Sequence, residues 1–96
     1  MNYEWDEQKK TANLAKHGID FINAEKFDWS LSLIQSDSRH QYNEQRFNAL
    51  APIENRLYMM TFTRRGDNIR IISFRKANKR EVNYYVSNIE NFDANG

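Results

Sequence analysis

The residues best equipped for chemistry in this chain are its arginines and lysines. From Arg64 to Arg80 stand seven basic residues (Arg64, Arg65, Arg70, Arg75, Lys76, Lys79 and Arg80) against one acid, Asp67. That stretch carries +6 while the 96-residue chain carries +1, so the remainder holds +1 minus +6, or −5. A charge polarised in this way suits a polyanion. Arginine's planar fork grips a phosphate at two points and does not lose its proton. Metal-free cleavage of RNA asks for little more: a base for the 2′-hydroxyl, cations around the phosphorane, and an acid for the leaving 5′-oxygen. Aromatic side chains beside such cations can stack single-stranded bases.

Other chemistries find little support. The two histidines, His17 and His40, fall on different elements, and Asp37-Ser38-Arg39-His40 lacks a metal-ligand spacing. No metal and no cofactor are expected. Cysteine is absent, and with it thiolate nucleophiles, disulfides and cysteine zinc sites. Three glycines do not make a phosphate-cradling loop, and Ser73 has no evident His partner for nucleophilic catalysis. No apolar run approaches the roughly 20 residues that span a bilayer, and the N-terminus is polar and acidic rather than a secretory signal. The expectation is a single cytoplasmic domain over residues 1–96, with no membrane partner.

The elements that must position these cations follow from pattern. Asn2–Trp5 alternates and reads as an edge strand. Asp6 caps a helix to about Lys16, which Gly18 ends. Asp20 caps a second short helix with Phe21, Ala24 and Phe27 on one face. Leu31–Gln35 reads as a strand, 37–44 as a polar loop, and Arg46–Leu50 as a strand that Pro52 terminates. Arg56–Thr63 and Ile69–Phe74 form a hairpin joined through Arg65–Asn68; both are apolar on two faces and so central. Asn78 caps the last helix, with Glu81 completing the capping box and Val82, Tyr85, Val86 and Ile89 forming its packed face. Fraying is expected over about 93–96. The class is α+β, with an antiparallel sheet packed by two N-terminal helices and a C-terminal one.

Simple alternation puts Arg70, Ile72 and Phe74 on one face of their strand and Ile69, Ile71, Ser73 and Arg75 on the other. Hairpin pairing brings Arg64 near Arg70. Arg75 lies beside the helix N-terminus at Asn78, a place that favours an anion. Each residue also has a plainer reading. Arg65, Lys76 and Lys79 can be solvated charges that steer a substrate. Arg70 can pair with Glu44 or Glu25. Tyr85 can be core with a satisfied hydroxyl, and the Trp5 and Trp29 rings core as well. His17 can cap its helix end as a cation, or contact RNA and move a proton.

Taken in order, the anchors are Trp5-Asp6-Glu7 with Lys9, then Asn13-Leu14-Ala15-Lys16-His17-Gly18-Ile19 and Phe21. Glu44-Gln45-Arg46-Phe47, Thr63-Arg64, the run Ile69 to Ala77, Glu81 and Tyr85 follow. In this combination the chain resembles the BrnT toxins, ribonucleases of bacterial type II toxin–antitoxin pairs. The resemblance implies a RelE-like fold, metal-independent RNA cleavage and arrest of translation, with mRNA cut free or on the ribosome. It implies a BrnA-like ribbon-helix-helix antitoxin as partner, through which alone DNA is reached. It places the family's basic positions on Arg46, Arg64, Arg70 and Arg75 as catalytic candidates, with Glu44 as a further polar position; our own assignment makes Glu44 a catalytic candidate too, as base or as the group that orients Arg46. Lys16, His17, Arg65, Lys76, Lys79 and Tyr85 are then RNA-binding candidates.

Three departures stand out. Ala49-Leu50-Ala51-Pro52 replaces the glycines usual after Arg46-Phe47. Phe74 stands where a small residue is usual, and can crowd a groove or add a stacking ring. Asn78-Lys79-Arg80 is unusually basic. A reading from another class remains: a non-catalytic module that binds nucleic acid or protein through the same patch.

Overall fold

A computed structural model of the chain describes residues 2–38 and 44–95, with side chains as far as residue 89. His40 and most of the expected 37–44 loop lie outside the described residues, as do the side chains over 93–96.

The first strand, β1 (Asn2–Trp5), runs into helix α1 (Glu7–His17). The Asp6 carboxylate accepts from the N–H groups of Gln8 (2.8 Å) and Lys9 (3.1 Å), filling donors that the first turn leaves open. Gly18 ends the helix in the left-handed region at φ 73°, its N–H donating to the Leu14 carbonyl. Strands β2 (Leu33–Asp37), β3 (Arg46–Ile53), β4 (Arg56–Arg65) and β5 (Asn68–Lys76) follow, then helix α2 (Lys79–Asn95). They form one sheet of five strands in the order β1-β5-β4-β3-β2, antiparallel except that β1 lies parallel to β5.

The second expected N-terminal helix is instead a pair of 3₁₀ turns, Phe21–Lys26 and Trp29–Leu31. Phe21, Ala24 and Phe27 recur every third residue, which suits three residues per turn, and all three are buried. Asp28 caps the second turn through the Ser30 N–H, so Leu31 belongs to a turn and β2 begins two residues later than expected. β3 likewise passes Leu50 and runs through Pro52 to Ile53. The Pro52 carbonyl points away from β4 and accepts from Asp28 N–H (3.0 Å), so its missing donor falls on a side where no strand pairs.

The core lies on one face of the sheet, under α1 and the 3₁₀ turns. Phe21, Phe62, Phe74, Met60 and Ile71 are fully buried there, with Phe27 meeting Phe74 edge-on at 5.7 Å. Phe74 is thus core, neither a groove wall nor a stacking ring. Trp5 and Trp29 pack against this core as partly buried rings. α1 is bolted to β5 by Asn13, 6% exposed, whose amide donates to the Phe74 carbonyl (2.7 Å) and accepts from the Phe74 N–H (3.0 Å). β1 stops at Trp5, opposite Ile71, and Asn13 supplies the next peptide-like partner along that edge.

α2 leaves the sheet at its end and is covered less than its pattern predicts. Tyr85 donates its hydroxyl to the Leu31 carbonyl at 2.6 Å, but Val86 is 46% exposed. No second layer backs that side of the helix among the described residues.

Candidate functional site

The face of the sheet opposite the core is graded in three rows, read from the pairing register. The first row is Asp37, Arg46, Thr63, Arg70 and Glu4, contributed by β2, β3, β4, β5 and β1 in turn. The second is Gln35, Asn48, Thr61 and Ser73, tied by a Thr61 hydroxyl to Asn48 bond of 2.7 Å. The third is Leu33, Leu50, Met59 and Arg75. α2 stands over the third row, where Leu33, Leu50, Met59, Arg80 and Tyr84 line a pocket of ≈ 290 Å³. The charged row lies at the other end of the strands, about 15 Å from Arg75 at ~3.3 Å per residue.

This arrangement overturns the expected alternation on β5. Thr61 pairs with Ser73 and Phe62 with Ile71, so Ile72 is an extra residue, a β-bulge. Beyond it the faces exchange: Ile69, Ile71 and Phe74 all turn to the core, while Arg70 and Arg75 share the open face. Arg64 moves the opposite way. It pairs with Ile69 and therefore faces the core side, at the exposed end of β4. It is close to Arg70 along the chain of pairs but on the other side of the sheet.

Arg46 and Arg70 flank Thr63 in the first row, two strand spacings or about 10 Å apart at the backbone. The Thr63 hydroxyl donates to the Gln45 carbonyl at 2.6 Å and pins the start of β3. Arg70 forms no ion pair with Glu44 or Glu25. Glu44 reaches Arg65 instead, at 3.5 Å. Arg75 is held end-on by Glu81, Nη1 to Oε1 at 2.8 Å and Nη2 to Oε2 at 2.9 Å. The same carboxylate accepts from Asn78 N–H (2.9 Å) while Asn78 accepts from Glu81 N–H (2.8 Å), the expected capping box. The anion at the helix N-terminus is thus an internal one. The Arg75 hydrogen bonds hold the Glu81 carboxyl below its usual range, against the smaller opposing effect of burial.

The remaining candidates lie elsewhere. Lys16 and His17 form the last turn of α1. Burial, then the charges of Lys16 and Arg75, depress the His17 pKa and favour the neutral imidazole. His17 opens with Lys26, Arg56, Tyr58 and Lys76 onto a separate groove. Lys79 begins α2 and is exposed, and the Tyr85 hydroxyl is committed to Leu31. Two features escaped the sequence reading. Glu4 was legible, since Tyr3 and Trp5 on one side of β1 leave it on the other. The Arg75–Glu81 clamp was half legible, through the capping box alone. No group of three or more His, Cys, Asp or Glu stands together among the described residues, and none of the described helices is long and apolar enough to cross a membrane.

The chain is an α+β domain that carries arginines and carboxylates in register on the face of its sheet opposite the core. Residues 5–81 match the family described as the ribonuclease toxin BrnT of type II toxin–antitoxin systems, and the chain belongs to that family. It is thereby an RNA-cleaving enzyme, and a type II toxin implies a cognate antitoxin. A search of curated proteins found no match.

Proposed function

We propose that this ribonuclease toxin cleaves RNA without a metal, by attack of the 2′-hydroxyl on the adjacent phosphate, at the charged row of the open sheet face. The observation that carries this reading is the register of Arg46, Thr63 and Arg70 across three strands. Thr63 is itself buried, so a phosphate docks on the two guanidinium forks that flank it, and these stabilise the phosphorane as its charge builds. Strands hold the two forks without a loop's freedom. Arg75 engages Glu81 with both Nη groups and serves as a rigid positive wall, and Arg64 acts from the far side as a docking charge. Lys16, Lys76 and Lys79 extend the positive surface along which a strand of RNA tracks, and the neutral His17 imidazole offers it a hydrogen-bonding contact.

The fold is read as RelE-like, and the outcome in the cell as arrest of translation in the cytoplasm through cut mRNA, free or on the ribosome. A BrnA-like ribbon-helix-helix antitoxin neutralises it and carries the complex to DNA. An antitoxin segment with apolar and acidic side chains suits the open face, where Leu33, Leu50 and Met59 adjoin the arginines.

Mapping the ends of RNA cut by purified protein tests this. The expected products carry 2′,3′-cyclic phosphate and 5′-hydroxyl ends and form equally in a chelator. Intact RNA, both free and on ribosomes, favours the binding-module reading; 3′-hydroxyl ends would exclude 2′-hydroxyl attack.

A further inference from the structure

We propose that Glu4 is the general base of the cleavage reaction; this rests on the placement of the reaction at the charged row. Glu4 is the Cα partner of Arg70 in the parallel β1–β5 pair, and the packing of Tyr3 and Trp5 against the core leaves Glu4 on the open face. Its Oε1 is buried and accepts no hydrogen bond from the described residues. A buried acceptor left unsatisfied lowers stability, and such a group calls for a reason other than folding.

Six other carboxylates have visible duties. Asp6, Asp20 and Asp28 cap helix and turn starts. Glu44 pairs with Arg65, and Glu81 holds both Arg75 and the Asn78 N–H. Asp37 sits at the far end of the row, opposite Arg46, and is engaged there. Glu4 is one strand spacing, about 4.8 Å, from Arg70. A phosphate held by Arg70 therefore presents its neighbouring 2′-hydroxyl within reach of the Glu4 carboxylate. Glu4 also stands one residue before the stretch shared with the family, so the match does not bear on it.

In the step, Glu4 takes the proton of the 2′-hydroxyl and the freed oxygen bonds to phosphorus. The P–O5′ bond breaks, and the leaving oxygen takes a proton from water. The hydroxide so formed recovers the proton from Glu4. Charge and atoms balance, and the carboxylate is regenerated.

The test is single-turnover cleavage of a labelled mRNA, free and on ribosomes, by wild type, Glu4→Gln and Glu4→Asp across pH. Glu4→Gln is expected to lower the rate about 100-fold or more and to remove the acid limb of the rate profile. Its affinity for the same RNA carrying a 2′-deoxy group at the cut site should stay within about threefold of wild type, as for a base rather than a docking charge. Glu4→Asp, which keeps the carboxylate, should retain part of the rate and the acid limb even if Glu4→Gln folds poorly. A Glu4→Gln rate within threefold of wild type, or an unchanged acid limb, overturns the proposal while leaving the reaction itself in place. A wild type that cuts neither RNA removes the underlying reading and this one with it.

Discussion

Arg70 and Arg75 stand five residues apart on one strand and yet face the same side of the sheet. In a regular strand an odd separation puts two side chains on opposite faces. The bulge at Ile72 absorbs the odd residue, and so turns Phe74 into the core and Arg75 out of it. The open face owes its second arginine on β5 to that one extra residue.

The division of arginines between faces predicts a division of mutant effects. Arg70→Ala and Arg46→Ala should each lower RNA cleavage by about 100-fold, the scale for removing one donor to a developing anion. Arg64→Ala, on the opposite face, should lower it less than about tenfold and mainly through RNA affinity. Cleavage rates and binding to a 2′-deoxy RNA, measured side by side, decide this; an Arg64→Ala loss as deep as that of Arg70→Ala would contradict the placement.

Asn13 predicts a stability effect. Asn13→Ala leaves the Phe74 N–H and carbonyl without their partner in a buried position. At about 1–3 kcal/mol per unsatisfied group, partly relieved by relaxation, the expected loss is about 2–4 kcal/mol in urea unfolding. Asn13→Asp should be no better, because a carboxylate faces the Phe74 carbonyl with no proton to give. A loss under about 1 kcal/mol for the alanine variant would show that the edge of β5 is held by something else.

Glu81 predicts the shape of the acid limb of stability. Its folded pKa lies below the unfolded value of 4.5, so it binds fewer protons in the native state. The stability it contributes is complete above the unfolded value and is lost as pH falls through the folded one. Glu81→Gln should cost about 1 kcal/mol at neutral pH, a modest figure because the Arg75 partner is about a third exposed, and should flatten the fall in stability below about pH 4.5. Unfolding curves for both proteins from neutral to acid pH supply the comparison. An acid limb identical in the two proteins would rule out the linkage.

Glu54 predicts a gain. It opens the two-residue β3–β4 hairpin at φ 56°, a left-handed conformation that disfavours a Cβ. Glu54→Gly relieves that strain but adds freedom to the unfolded chain, so a net gain of up to about 1 kcal/mol is expected. A thermal midpoint that falls instead would indicate that the Glu54 side chain holds the turn.

Much of the molecule was legible along the chain. Asp6, Gly18, Asn78 and Glu81 marked helix ends because capping is local chemistry between residues a few positions apart. The α+β class, the β4–β5 hairpin and the family were readable from patterns and ordered motifs. Less local matters were not. The 3₁₀ turns replaced a helix because the buried spacing of Phe21, Ala24 and Phe27 fits either form over so short a stretch. Pro52 could sit inside β3 because its carbonyl faces a turn, a fact of the assembled sheet.

The caps, the β4–β5 hairpin, the charge polarity and the residue types able to hold a phosphate can be read along the chain, since each depends on near neighbours. Tertiary structure decided which of those residues meet. The bulge reversed the faces of β5, pairing sent Arg64 to the core side, and the parallel contact of β1 with β5 set Glu4 beside Arg70. Strand register is settled by burying the apolar face as a whole, and a shift of one residue changes every side chain beyond it.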